Sequence, residues 1–268
     1  MDTRFIGDYQ APGDLLAGRV ILVTGAGDGI GKAASLAFAR CGATVILVGR
    51  TTAKLEAVYD QISAQGWPEA VIQPVDLGGA SEEDYQPLAA AIDAEFGRLD
   101  GLLHNASELG QRTPIANYHA STWHKVMQVN VNAQFLLTKA LLPVLEKSPD
   151  ASIVLTSSSV GRTGRAFWGA YAVSKFATEG FCQVLAGELA ETTNIRVNCL
   201  NPGATRTRMR AAAYPAEDPR ILKTPEEIMP AYLYLMGPDS CGVNGRSFDA
   251  QEALAARQTV AGGLTPKD

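Results

Sequence analysis

The chain has 268 residues, 46% hydrophobic and 19% charged, enough apolar surface to bury a sizeable core and too much for a disordered or collagen-like polymer. A formal net charge of -5 supplies no basic face for a nucleic-acid backbone or an anionic membrane, so a small soluble partner is expected. Cys41, Cys182, Cys199 and Cys241 lie far apart without a C-x-x-C, and His104, His119 and His124 lack partners at ligand spacing, so the thiols read as reduced and no metal site is expected.

The amino terminus, MDTRFIGDYQAPGDLL, has neither the apolar centre nor the small-residue cleavage site of a signal peptide, and residues 1–14 are expected to be loose. No apolar run approaches the roughly 18 residues of a spanning helix, so the expected location is the cytoplasm. The first strand is Arg19 to Thr24 (RVILVT), and it runs into TGAGDGIGK. Gly25, Gly29 and Gly31 follow a G-x-x-x-G-x-G spacing. Glycines let a backbone turn sharply and approach a pyrophosphate, while the helix that follows, 30–40, offers free N–H groups and its positive dipole end. The turn through Gly25, Gly27, Asp28, Gly29, Ile30 and Gly31 is therefore the candidate phosphate cradle. Asp28 argues against it unless its carboxylate points away.

The second strand, Thr44 to Val48, ends in Val48-Gly49-Arg50, where an NAD site would place a carboxylate for the ribose diol. Arg50 instead offers charged donors for a 2′-phosphate, which favours NADP over NAD. A helix over 52–64 and a third strand, Ala70 to Val75, lead to Asp76-Leu77. That carboxylate can accept from the amine of adenine or cap the next helix, 81–96. The fourth strand, Leu99 to His104, ends in HNAS, in which Asn105-Ala106-Ser107 also matches a glycosylation sequon. A reducing compartment excludes that use.

A helix over 121–145 carries VNVN, with Asn130. The fifth strand, Ser152 to Thr156, stops at Ser157-Ser158-Ser159, and the helix over 170–190 sets Tyr171 and Lys175 four residues apart on one face. A free tyrosine titrates near 10; an adjacent ammonium lowers that value and makes the phenol a usable acid/base. A serine hydroxyl just before it can hold a substrate carbonyl oxygen. The sixth strand, Ile195 to Leu200, leads to NPGATRT, and the tail from 252 to 268, EALAARQTVAGGLTPKD, is expected to be loose. Strand and helix alternate six times, and most strands lack in/out alternation, as strands covered on both faces do. The fold class expected is α/β: a single-domain Rossmann-type doubly wound parallel sheet with helices on both faces, spanning 1–268.

Together these segments resemble the short-chain dehydrogenase/reductase family, in its single-domain branch. TGAGDGIG is similar to the family's T-G-x-x-x-G-x-G turn, HNAS to its N-N-A-G, VNVN, the strand-end serine and Y-x-x-x-K to its catalytic tetrad, and NPGATRT to its P-G-x-x-x-T. Longer stretches, among them LDGLLHNASELG and SSSVGRTGRAFWGAYAVSKFATEG, resemble the YciK-type bacterial oxidoreductases within that family.

The resemblance implies Tyr171 as general acid/base and Lys175 as the group that lowers its pKa and binds the nicotinamide ribose. It implies Ser158, with Ser159 as the fallback, as the group that polarises the carbonyl, and Asn130 as the holder of a proton-relay water. Asn105 and Ala106 would lie against the cofactor ribose, Pro202 and Gly203 would shape a turn, and Thr207 would contact the cofactor. The implied activity is hydride exchange between NADP and a small carbonyl or alcohol. The implied assembly is a homodimer or homotetramer packed through the two long helices. A binding-only sensor or scaffold is the alternative reading. Two positions depart from the family: Ser107 replaces a glycine, and Phe248-Asp249-Ala250 replaces D-G-G. The loop from Thr207 to Thr224, which closes over substrate in the family, has Arg206, Arg208 and Arg210 at its start. These read either as anion-recognising groups or, preferably, as solvated or phosphate-facing ones.

Overall fold

Consecutive apolar residues along each central strand are divided between two helix layers. In the computed structural model, which describes residues 4–252, the strands are β1 (Arg4–Phe5), β2 (Val20–Thr24), β3 (Thr44–Gly49), β4 (Val71–Pro74), β5 (Gly101–His104), β6 (Ala151–Thr156), β7 (Ile195–Asn201) and β8 (Ser247–Asp249). They form one sheet in the order β1-β8-β7-β6-β5-β2-β3-β4, parallel at every pairing. The helices are α1 (Gly29–Arg40), α2 (Thr52–Ala64), α3 (Glu82–Phe96), α4 (Ala120–Met127), α5 (Ala133–Leu145), α6 (Gly169–Leu189), α7 (Arg208–Ala213) and α8 (Met229–Met236).

On one face Ile21, Val23, Val45 and Leu47 pack with Ala34 and Phe38 of α1, Leu55 of α2 and Leu235 of α8. On the other, Leu22, Ile46 and Val48 pack with Leu88 of α3, Leu141 of α5 and Leu185 of α6. This is the doubly wound α/β sheet expected from the sequence. Strand order reverses between β2, which continues to β3, and β5, which continues to β6. Ligands of such sheets bind outside the carboxyl ends of the strands at that switch point.

Four features differ from the sequence reading. The segment 121–145 is not one regular helix: Gln128–Asn132 form a π turn between α4 and α5, in which the Ala133 N–H bonds back to the Gln128 carbonyl. The cause lies in Asn130, whose buried amide reaches sideways to the loop after β5. Its Oδ1 accepts from the Glu108 N–H at 2.7 Å and its Nδ2 donates to the Glu108 carbonyl at 3.0 Å. Second, residues 4–14 are tied down. Arg4 and Phe5 pair with Phe248 and Asp249, and the Tyr9 hydroxyl donates to Asp239 at 2.7 Å. Third, β1, at the edge, and β8, beside it, are two and three residues long, too short to show a period. Fourth, α8 reads MPAYLYLM and is buried on nearly every side, so it carries no amphipathic signal. The tail expected to be loose lies, beyond Glu252, outside the described residues.

Candidate active site

The turn after β2 is shaped by contacts that leave no room for side chains. Gly25 has φ +68°, and a Cβ there would meet the Ala106 backbone at 3.0 Å. A Cβ on Gly31 would lie 2.2 Å from the Gly25 carbonyl oxygen, so α1 can start this close to the strand only without one. Thr24, just before the turn, joins it to the loop after β5. Its hydroxyl accepts from the Asn105 and Ala106 N–H groups at 3.0 and 3.1 Å and donates to the Leu103 carbonyl at 3.2 Å. One hydroxyl, with its one proton and two lone pairs, thus fixes the walls on both sides of the switch point.

A cleft of about 640 Å³ opens there. Of the predicted site residues, Gly25, Gly27, Asp28, Gly29, Ile30, Arg50, Asp76, Leu77, Asn105, Ala106, Ser158, Tyr171, Lys175, Pro202, Gly203 and Thr207 all line it. Gly31 lies beneath the turn. Asn130 is fully buried behind the wall, where its amide is held by Glu108 and by the Ser174 hydroxyl at 2.9 Å. Its side chain thereby ties the cleft wall to α6.

The far end of the cleft is cationic. Asp28, expected to repel phosphates, caps α1 by accepting from the Gly29 N–H at 2.8 Å and is paired with Lys54 at 2.6 Å and Arg208 at 3.0 Å. The Lys54 hydrogen bond is the main reason its carboxyl titrates below the ordinary range. Arg50 is exposed and makes no bond among the described residues, so its donors are free. Arg50, Lys54 and Arg208 thus line this part of the cleft against two carboxylates, Asp28 and Asp76. A glycine cradle that any Cβ would fill, a helix N-terminus and surplus positive charge fit a dinucleotide phosphate group. Asp76 caps its own turn, accepting from the Gly78 N–H at 3.1 Å, and remains exposed to the cleft.

At the reacting end Ser158, Tyr171 and Lys175 line the cleft together. Ser158 lines the cleft and Ser159 is exposed outside it, which distinguishes the two serines. The direction of the tyrosine shift is opposite to that expected. Burial pushes Tyr171 up to about 12, opposed only by the Ser158 bond. Lys175, 1% exposed, is held by the Thr156 carbonyl at 2.8 Å, with Nζ 5.5 Å from the centre of the Tyr171 ring. Burial pulls it down to about 8. Desolvation is the main cause of both shifts.

Behind Lys175 stands a group that local sequence did not reveal. Glu179, 6% exposed, accepts from Ser157 at 2.5 Å, Ser247 at 3.0 Å and Arg162 at 3.3 Å. Arg162 continues to Asp249 at 2.9 Å and the Phe248 carbonyl, and Asp249 accepts from Asn201 at 2.7 Å. Gln251 then donates to the Pro202 and Ala204 carbonyls at 2.8 and 3.1 Å. The Phe248-Asp249-Ala250 departure is thus filled by contacts that hold the 202–205 turn. At Ser107 the hydroxyl is buried in the cleft wall with no hydrogen-bond partner among the described residues. The three loop arginines are engaged: Arg206 with the Pro219 and Leu222 carbonyls, Arg208 with Asp28, and Arg210 with Glu217 at 2.6 Å through two nitrogens. His104 is a core residue; burial lowers it to about 3, and its Nε2 lies 2.8 Å from the Thr138 hydroxyl.

A family model described as short chain dehydrogenase matches residues 19–218. The chain is 55% identical over 243 residues to the uncharacterised oxidoreductase YciK of Escherichia coli K12, covering 91% of this chain and 96% of that one. A proposed short chain dehydrogenase from Shigella flexneri 2a, solved with NADP, superposes with TM-score 0.86 at 55% identity, covering 90% of this chain and all of that one. Another from Escherichia coli CFT073, solved with NADPH, gives TM-score 0.86 at 56% identity over the same shares.

The lowered Lys175 makes a prediction for stability. Between its folded value near 8 and its unfolded value of 10.5, the unfolded chain binds more protons, so this group adds stability as pH rises and opposes folding most below pH 8. A shift of this size corresponds to about 3 kcal/mol. Lys175→Met is expected to be about 1–3 kcal/mol more stable than the parent at pH 7 by denaturant melts, with the gap closing between pH 8 and 10.5. A variant less stable at pH 7 contradicts this account.

Proposed function

Because the chain belongs to the short-chain dehydrogenase/reductase family, as an NAD(P)-dependent oxidoreductase of the YciK type, we propose that it interconverts a small neutral carbonyl compound and its alcohol with NADP. What carries this reading is the convergence of Ser158, Tyr171 and Lys175 on one cleft wall, with Lys175 one helical turn beyond Tyr171. When bound, the dinucleotide gives hydride to the carbonyl carbon or takes it from the alcohol. Gly25 to Ile30 and the cations Lys54 and Arg208 hold its phosphates, and Arg50 holds the 2′-phosphate. Asp76 and Leu77 line the adenine end, and Asn105, Ala106, Pro202, Gly203 and Thr207 line the remainder.

Ser158 positions the carbonyl oxygen, and Tyr171 gives that oxygen its proton. A phenol that keeps its proton to about 12 favours the reductive direction at neutral pH. Lys175 donates one proton to Thr156 and has two left for ribose hydroxyls. Asn130 acts as a positioning residue for the loop at Glu108. Since Arg206, Arg208 and Arg210 have internal partners, a neutral substrate fits better than an anionic one. The free cysteines suit a reducing cytoplasm.

The same reading extends to assembly. Phe135 of α5 and Val173, Phe176 and Val184 of α6 are 44–58% exposed, and Gly180 has open space above it. This apolar stripe with a small residue at its centre suits a second copy of the chain in a dimer or tetramer.

Four outcomes test the proposal. Against a panel of aldehydes, ketones and quinones, Tyr171→Phe should lose about 10²–10⁴-fold in kcat/KM with NADPH affinity retained. In the parent, alcohol oxidation should rise with pH from 6 to 9 while carbonyl reduction stays flat; full activity of the variant refutes the proton role. Arg50→Ala should weaken NADPH about 10–100-fold by calorimetry and leave NADH unchanged; an equal effect on both removes the 2′-phosphate assignment. Val184→Asp should shift the mass measured by light scattering to that of a monomer, and an unchanged oligomer shows that the interface lies elsewhere.

A further inference from the structure

The backbone entering α6 is strained. Phe167 is the one non-glycine residue with positive φ among the described residues, at +70°, and its ring is 54% exposed, so it does not hold itself there. Such a conformation is unfavourable for a residue with a Cβ and persists only when its surroundings impose it. The neighbour it turns inward, Trp168, is 7% exposed and lines the cleft beside Tyr171, with ring centres 5.6 Å apart. The Arg112 guanidinium lies against the indole, 4.3 Å from its centre.

Arg112 also lies 4.8 Å from the ring of Tyr214 and donates to the Ala213 carbonyl. Tyr214 receives Arg210 at 3.9 Å, and Arg210 is paired with Glu217. A stacked column therefore runs from Glu217 through Arg210, Tyr214, Arg112 and Trp168 to Tyr171. It joins three separate segments: the loop after β5, the entry to α6, and the 207–224 loop. Trp168 and Tyr214 also meet directly, their ring centres 5.9 Å apart, and Arg112 covers both rings and adds a hydrogen bond to the Ala213 carbonyl without itself lining the cleft. A planar guanidinium can cover two rings and still present an N–H in plane to a carbonyl, which an ammonium cannot do.

We infer that Arg112 is a positioning residue of the substrate pocket: it latches the 207–224 loop over Tyr171 and fixes Trp168 as the pocket wall. The consequence for turnover rests on the oxidoreductase reading above; the closure of the loop does not. The loop contains trypsin sites after Arg208, Arg210, Arg220 and Lys223, with Arg206 just before it, so closure can be read without any substrate.

The test is limited tryptic digestion of the full chain, with cleavage located by mass spectrometry, beside NADPH titration and carbonyl kinetics. Arg112→Ala should cut within 206–223 at least tenfold faster than the parent, with other sites and NADPH affinity changed less than twofold. Arg112→Lys, which keeps the charge and loses the plane, should fall between the two. The carbonyl KM should rise about tenfold in Arg112→Ala with the NADPH KM unchanged. Tyr214→Leu, which removes the facing ring, should reproduce the digestion pattern and decides the matter if Arg112→Ala does not fold. Cleavage within 206–223 that stays at the parental rate, or rises equally over the whole chain, overturns the inference. A protein that binds NADPH and turns over no carbonyl refutes the oxidoreductase proposal while the digestion result stands.

Discussion

A carboxylate is buried beside the reacting helix, and the loops that shape the cleft are the groups that satisfy it. An ionised side chain inside a protein must be paired and hydrogen-bonded, and removing one partner of such a pair costs about 3–5 kcal/mol. Glu179 meets that demand with Ser157 from the end of β6, Arg162 from the following turn and Ser247 from β8. Each partner comes from a different part of the chain. The need to neutralise one group therefore sets the end of the strand that carries Ser158, the helix that carries Lys175 and, through Asp249 and Gln251, the turn at Pro202.

The cleft is electrically asymmetric, and the two ends use opposite physics. At the glycine turn the charges are half-exposed, close together and predominantly positive, so an anion arriving there replaces water contacts at little loss. At the tyrosine end the same low dielectric that raises Tyr171 depresses Lys175. Both are held nearer their neutral forms than free side chains would be, a condition in which a proton can move at small driving force. Thr24 links the two ends by fixing the loop of Asn105 and Ala106 against the turn at Gly25.

Much of this was legible in the sequence because its signals are local. Six strands announce themselves as short apolar runs, the glycine spacing marks a turn with no room for side chains, and Tyr171 and Lys175 share a helical face. What escaped depends on partners far along the chain. Nothing near Glu179 indicates that Arg162 and Ser247 will reach it, nor does anything around Arg112 foretell two aromatic rings. Nothing beside Asn130 indicates that its amide will meet the Glu108 peptide 22 positions away. α8 hid because it is apolar all round, and β8 because three residues cannot show a period. Burial, which raises Tyr171, is likewise a property of the packed molecule that no local stretch of sequence carries.

The division of each strand between two cores has a consequence for how such a protein can change. In β2, Leu22 answers to one helix layer and Val23 to the other, so no position along the strand is free to vary without disturbing packing on one side. The sheet is a frame under double tension, and novelty is confined to the open ends where chains leave it. Residues such as Ser107 and Met209 line the cleft there, where a new side chain meets a prospective ligand before it meets the frame. A scaffold of this kind can acquire a different chemical appetite one loop at a time and never unlearn its shape.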